Sequence, residues 1–473
     1  MHEKERVMKK PKTGRIDQKK VAELKSGFKG EILLPADAGY DDARAIWNAM
    51  IDKRPALIAR ATRTADVVAA VNFARDQSLA LAVRGGGHNI AGSALVDDGL
   101  VIDLSRMKAA KVDAGARRVV IEGGALLADL DAATQAHGLA TPLGINSTTG
   151  VAGLTLGGGF GWLSRKLGMT IDNLESAEVV TAKGEVVRAS ATENPDLFWA
   201  LRGGGGNFGV VTRFEFRLHP VGPQLLSGLV VYPIAEAKSV LRQYRDFIAQ
   251  APDDLSVWVV LRKAPPLPFL PPGVHGQPVV VLAALYAGDP KKGEPLVAPL
   301  STFGKPVGEH VGVGPYTGWQ QAFDPLLTKG ARNYWKSHNF AALADGLFDA
   351  SLDAVATLPS PQCEIFIGAL GGATMRPAPE SAAYGLRDAR FVMNVHGRWE
   401  SAAEDARGIA WARGFFDAAA PFATGGVYVN FMTADEGDRV RAAYGANYAR
   451  LAKVKRQYDP GNLFSVNQNI KPA

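Results

Sequence analysis

Twenty-three of the 125 residues between Gly85 and Gly209 are glycine, about 18%, whereas the other 348 residues hold 29, about 8%. The second figure is near the usual ~7% background, so the excess belongs to one third of the chain. Glycine inside a helix or strand costs roughly 0.5–1 kcal/mol against alanine, which places such a density in loops. Runs of glycine let the backbone approach a ligand closely and turn successive N–H groups toward an anion. A diphosphate-bearing cofactor is the natural ligand; a surface rich in tight turns would have the same composition.

Around these loops, segments of helical and strand periodicity alternate from about residue 30. Val67, Val68, Val71 and Ala74 make a helix face with Thr64 as its candidate cap, and residues 79–83 read as a strand entering Gly85-Gly86-Gly87-His88. Strands are expected at 100–104, 119–122 and 210–216, and helices at 126–137, before Gly138, and at 197–201. Ala182-Lys183-Gly184 is placed to turn a hairpin. Near Pro220-Val221-Gly222-Pro223 the character changes, with prolines at 265–272 forming a loop or linker and longer apolar runs such as Val279–Ala287 beyond. A boundary is expected near residue 222.

Several chemistries are excluded or weakened. Gly204-Gly205-Gly206-Asn207-Phe208-Gly209 satisfies G-x-G-x-x-G, but a helix precedes it and a strand follows, the reverse of the dinucleotide fingerprint. The net charge of +6 lies wholly within residues 1–30, which carry ten basic and four acidic residues; the rest carries 43 of each. A neutral body argues against a nucleic-acid enzyme, and the basic start reads as a solvated, partly disordered arm over residues 1–29. No apolar run follows it as a secretory signal requires, and no stretch approaches 18 apolar residues, so no membrane span and a cytoplasmic location are expected. The single cysteine, Cys363, and eight scattered histidines without metal-ligand spacing leave no metal site.

Four segments are informative together: Arg84-Gly85-Gly86-Gly87-His88-Asn89 with Ser93; Thr148-Thr149-Gly150 through Trp162; Thr170-Ile171-Asp172-Asn173-Leu174; and Tyr458 through Ile470 with Asn467 and Asn469. In this order the sequence resembles the berberine bridge enzyme-like FAD-linked oxidases of the vanillyl-alcohol oxidase/PCMH superfamily, from about residue 50 to the end. The resemblance implies an α+β fold: a PCMH-type FAD-binding domain over 30–222, a substrate domain of antiparallel sheet covered by helices over 223–434, and a segment 435–473 returning to the first domain.

By the same resemblance, His88 matches the histidine joined covalently to the flavin 8α-methyl carbon. Without it, a histidine behind three glycines would more often be a turn or core residue. Asn146 stands where many relatives carry a second, cysteinyl link, so a single attachment is implied. Arg84, Gly85, Gly86, Gly87, Asn89 and Ser93 match cofactor-binding positions. So do Gly144, Thr148, Thr149, Gly150, Gly153, Leu154, Gly157, Gly158 and Gly161, and further along Asn173, Val210, Asn430, Asn467 and Asn469. Tyr428, in Tyr428-Val429-Asn430, matches a residue over the flavin that serves as base, and Asn394 a polar position facing substrate. A tyrosine deprotonating substrate at neutral pH needs its pKa lowered from ~10, which calls for a nearby cation or polarisation by the flavin.

The implied activity is oxidation of a CH–OH or CH–N carbon of a small molecule (sugar, alcohol, amine or secondary metabolite) by covalent FAD, with dioxygen as acceptor. A dehydrogenase with another acceptor, an oxidative cyclase or oxygenase, and a non-catalytic FAD-containing protein are the alternatives. Relatives' Phe-Pro-His-Arg reads Tyr384-Gly385-Leu386-Arg387 here, and the glutamate that some plant members use as base has no counterpart in Gly371–Arg376, so substrate identity does not carry over.

Overall fold

The computed structural model describes residues 16–473. Three larger sheets and one two-stranded pairing, His219–Pro220 with Leu139–Ala140, organise the described residues. The first has Leu57–Arg60, Leu100–Asp103 and Leu81–Arg84 side by side and parallel, with Glu31–Leu33 antiparallel at the edge. Parallel neighbours need a crossover, and the helix Thr64–Asp76 supplies it. Its Val67, Ala70, Val71 and Ala74 repeat at three and four residues and are fully buried against the sheet. Thr64 is the first helical residue rather than the cap, because its hydroxyl donates to Glu178 Oε1 (2.7 Å). The Asp66 carboxylate gathers the local donors instead, accepting from the N–H groups of Lys29, Gly30 and Thr62.

The second sheet is antiparallel, in the order Ala110–Asp113, Arg118–Glu122, Val210–Arg217, Leu174–Val180, Val186–Ser190. The expected hairpin closes it: Thr181 N–H donates to Glu185 O, and Gly184 takes a φ of +79°. The C-terminal helix Tyr448–Tyr458 lays Leu451, Ala452 and Val454 into the same core as Leu197, Phe198 and Trp199.

The third sheet has seven antiparallel strands in the order Gly308–Pro315, Gln224–Pro233, Pro278–Tyr286, Leu255–Lys263, Glu364–Ala369, Phe391–Trp399, Arg332–Phe340. Side chains alternate across it. Val257, Val259 and Leu261 enter the core shared with the helices Ala237–Ile248, Asp345–Ala356 and Asp405–Ala419, while Trp258, Val260 and Arg262 face a cavity on the other side. The proline-rich stretch 265–272 is a loop between two adjacent strands of this sheet, bracketed by the Ala264 N–H to Gln277 O bond, and not a linker.

One expectation is overturned at the start of the chain. The part of the basic arm from residue 17 onward is not solvated coil: Gln18–Gly27 is a helix capped by Asp17, and its Val21 and Leu24, followed by Phe28, are buried in the first sheet's core. Two apolar residues at i and i+3 suffice to dock a helix that is otherwise charged, and averaging charge over thirty residues hides them. Residues 1–15 of the arm lie outside the described residues.

Candidate active site

A cavity of about 360 Å³ runs between the glycine-rich loops and the large sheet. Its floor follows from one close approach. A Cβ on Gly86 would lie 2.4 Å from Gly150 N, so the loops 85–89 and 144–150 pack backbone against backbone only because both positions lack a side chain. The backbone N–H groups of Gly86, Gly87, His88 and Asn89 find no acceptor among the described residues. A run of unpaired amides beside a cavity is an anion cradle.

His88 sits at the end of that cradle under two constraints. The Trp47 ring stacks on its imidazole, with centroids 5.0 Å apart and planes 22° apart. Thr148 Oγ1 lies 2.9 Å from Nε2. The Thr148 hydroxyl is 2.6 Å from Asn146 Oδ1, which also accepts the Thr148 N–H. An amide oxygen only accepts, so Thr148 donates to Asn146 and must accept from His88 Nε2–H. Burial pulls the His88 pKa down to about 3, so the ring is neutral and its lone pair is on Nδ1.

Over the cavity stands Tyr428, which precedes the turn Val429–Phe431. Its oxygen accepts from Gly159 N–H (3.0 Å) and from Asn430 Nδ2 (2.9 Å). Burial drives its pKa up to about 12, against the lowering effect of these two donors. The expected nearby cation is not among the groups that act on it. Phe160 and Phe431 meet its ring edge-on at 4.9 Å, and Tyr384 at 6.3 Å.

The large sheet supplies the opposite wall. Arg262, Glu364, His396 and Trp335 stand directly opposite one another on four successive strands. Glu364 accepts from Arg262 Nη1 (2.6 Å) and faces His396 Nδ1 (3.2 Å). Burial would raise the carboxyl's pKa, but the Arg262 charge and the His396 hydrogen bond hold it at about 2. Asn394, 4% exposed, faces the cavity with its side-chain oxygen unpartnered.

The sequence-derived residues divide cleanly. On the cavity wall are Gly85, Gly86, Gly87, His88, Asn89, Ser93, Gly144, Thr149, Gly150, Gly153, Leu154, Val210, Asn394, Tyr428, Asn430 and Asn467. Seven are not. Thr148 stands behind His88. Arg84 turns away to donate to Ala43 O. A Cβ on Gly157 would strike Asn430, one on Gly158 would crowd Met169 and Tyr384, and one on Gly161 would strike Leu143 O. Asn469 keeps a buried, unpartnered oxygen off the wall. Asn173 is a structural pin: its amide donates to Leu167 O and Met169 O, and its oxygen lies 2.6 Å from His219 Nε2. Its three polar contacts are thus consumed inside the protein, away from the cavity.

Sequence reasoning missed Trp47, Arg262, Glu364 and His396. The last three carry a signal, since Trp258-Val260-Arg262, Glu364-Phe366 and Asn394-His396 each share a sheet face at period two; their pairing across strands is not local information. The rejected G-x-G-x-x-G run has the helix before and the strand after that its rejection supposed, yet its Gly205, Gly206 and Gly209 line the cavity. Of the substrate-side departures, Arg376 is ion-paired with Asp253 and Arg387 grips Asp172 through both guanidinium nitrogens at 2.7 and 2.8 Å. Among the described residues no group of His, Cys, Asp and Glu is arranged to hold a metal, and no helix is long and apolar enough to cross a membrane.

Comparison with known proteins agrees with this geometry. The family profile "FAD binding domain" matches residues 55–190, and "Berberine and berberine like" matches 427–471. An FAD-linked oxidoreductase of Dictyostelium discoideum is 34% identical over 430 residues, 90% of this chain and 91% of that protein. The (R)-6-hydroxynicotine oxidase of Paenarthrobacter nicotinovorans is 32% identical over 461 residues, 94% of this chain and 97% of that one. Among solved structures, 6-hydroxy-D-nicotine oxidase from Arthrobacter nicotinovorans superposes with a TM-score of 0.84 at 30% identity, covering 94% of this chain and 98% of that one. A chitooligosaccharide oxidase superposes with 0.84 at 25% identity, covering 96% of this chain and all of that one.

Proposed function

The chain belongs to the berberine bridge enzyme-like FAD-linked oxidoreductases, and from that premise we propose that it is an oxidase taking hydride from a CH–OH or CH–N carbon of a small molecule, with FAD bound covalently through His88 and dioxygen as the acceptor. The observation that carries this reading is the meeting of His88, the unpaired amides of 86–89 and Tyr428 on one cavity. The donor set fits the cofactor. Four free N–H groups suit a diphosphate, and the open space at Gly153 and Gly206 leaves backbone accessible beside it. When bound, FAD supplies the two-electron acceptor that no side chain provides.

The chain's own residues have three tasks. Asn146 and Thr148 fix the His88 proton on Nε2, leaving Nδ1 as the nitrogen free to bond the flavin's 8α carbon. With asparagine at 146 and Cys363 buried just before the strand Glu364–Ala369, one covalent link is expected. Tyr428 takes the proton from the substrate's O–H or N–H, and Gly159 N–H and Asn430 stabilise the phenolate this requires. Asn394 offers its unpartnered oxygen as the acceptor that holds the substrate's donor before Tyr428 takes the proton. In domain terms we read 30–222 with 435–473 as the FAD-binding part and 223–434 as the substrate part.

The test is colour and its retention. Purified protein should be yellow and keep its flavin through acid precipitation, and it should consume dioxygen and release hydrogen peroxide with a substrate. Complete release of flavin from intact chain by acid, or full covalent flavin in His88→Ala, would overturn the covalent assignment.

A further inference from the structure

The wall of the cavity made by the large sheet is graded from aliphatic to polar, and the strand register shows where the change falls. One row of directly opposed residues runs Val231, Val281, Val260, Phe366, Asn394. The adjacent row runs Val279, Arg262, Glu364, His396, Trp335. All of these face the cavity. The end formed by Gln224–Pro233 and Pro278–Tyr286 is therefore built of valines, with Leu229 and Ala283 beside them, and Leu267 and Leu270 of the proline-rich loop lie along it. With strands ~4.8 Å apart, this aliphatic arm reaches about 10 Å across three strands. Polar side chains begin only at Arg262, Glu364 and Asn394.

The polar end is itself selective. Arg262 and Glu364 neutralise each other at 2.6 Å, and both Glu364 oxygens are engaged, one by Arg262 and one by His396. That group presents no net charge to attract an ion and no free carboxylate. Asn394 does present an unsatisfied buried acceptor, on the same cavity as Tyr428. The unpartnered indole N–H groups of Trp258 and Trp335 are the further hydrogen-bonding groups on this sheet's face of the cavity, and the Val231–Val281–Val260 arm offers no polar side chain. A glycan laid along it would bring a hydroxyl at nearly every ring carbon, each stripped of water with nothing in exchange.

We propose that the substrate is an uncharged amphiphile: a single hydroxyl or amine N–H head held by Asn394 and Tyr428, and an aliphatic or alicyclic body lying on the Val231–Val281–Val260 arm, to the exclusion of oligosaccharides. The inference rests on the reading of this cavity as the substrate site of a flavin oxidase.

Calorimetric titration of the protein as purified, with straight-chain primary alcohols from butanol to octanol and with cellobiose, tests it. Kd should fall about fourfold for each added methylene, the increment for burying a CH₂, and cellobiose should bind no better than butanol. Val260→Asn, at a half-buried position, should cut the increment to twofold or less; Leu229→Asn serves the same purpose should the first variant fail to fold. Absence of a chain-length dependence in wild type, an unchanged increment in both folded variants, or cellobiose binding as tightly as octanol would overturn the proposal. Flavin content is read separately from the visible spectrum. Colourless protein with an intact increment refutes the flavin reading alone, and yellow protein without an increment refutes the amphiphile alone.

Discussion

Thr148 Oγ1 lies 2.9 Å from His88 Nε2 and donates its own hydrogen bond to Asn146, so a chain of two side chains fixes the His88 proton on Nε2 and leaves the lone pair on Nδ1. The relay works only because the ring is neutral, and burial makes it so. In the proposed covalent link, alkylation at Nδ1 would leave positive charge on the ring and would turn the Nε2–H to Thr148 bond into a charge-assisted one.

Thr148→Val should therefore slow covalent attachment without unfolding the protein. Loss of a hydrogen bond to a charged group is worth ~1.5–3 kcal/mol, or about tenfold or more in rate. Denaturing mass spectrometry of apoprotein incubated with FAD would follow it. Attachment at the wild-type rate would remove Thr148 from the process.

The raised pKa of Tyr428, about 12, gives the proposed base a pH signature. Its phenolate is scarce at neutral pH, so kcat/KM for an alcohol substrate should climb nearly tenfold per pH unit between about pH 6 and 9. Tyr428→Phe should lower kcat by ~10²–10⁴ and flatten the profile. A pH-independent wild-type profile with an alcohol would exclude Tyr428 as the base.

Asp131 couples the helix Leu127–Gln135 to the helix Tyr316–Gln321. It is fully buried, accepts from Gln320 Nε2 at 3.1 Å, and its pKa is raised by that burial to about 7. The folded state thus holds a proton that the unfolded state releases near pH 4. Stability should fall as pH rises from about 4 to about 7 and level off above, by up to ~4 kcal/mol at the conversion of 1.36 kcal/mol per pK unit. Asp131→Asn should erase this decline, leaving a Tm advantage over wild type that is absent at pH 4 and present at pH 8. Parallel Tm curves for the two proteins would contradict it.

The C-terminal segment is held by Lys455 and Asp459, both with fully buried side chains 2.7 Å apart. Lys455 also donates to Asn207 O and Phe464 O. Lys455→Met leaves Asp459 charged, buried and unpaired, which should cost ~3–5 kcal/mol by denaturant unfolding. Asn467 is positioned by the same segment, donating to Gly206 O, so flavin retention should fall in parallel. A change below about 1 kcal/mol would show the pair to be incidental.

Much of this was readable along the chain. Periodicity located the crossover helix and the Val210–Arg217 strand, because those signals are local, and the motif order singled out His88 and Tyr428, which the fold brings to one cavity. The Thr64 cap failed because Glu178, far away in sequence, competes for its hydroxyl. Asn173 lies off the cavity wall, its oxygen engaged by His219, which is 46 residues away in sequence.

What the sequence alone determined was the glycine excess confined to one third of the chain, and with it a backbone able to lie close to an anionic ligand. That follows from composition, since only residues without a Cβ permit the Gly86–Gly150 contact. What the tertiary structure decided was everything that depends on register: the neutral Arg262–Glu364 pair, the aliphatic arm beside it, and the Thr148 relay behind His88. Strand order pairs residues a hundred positions apart, and a hydrogen bond's direction depends on what its partner already holds. Neither is written in the neighbourhood of any one residue.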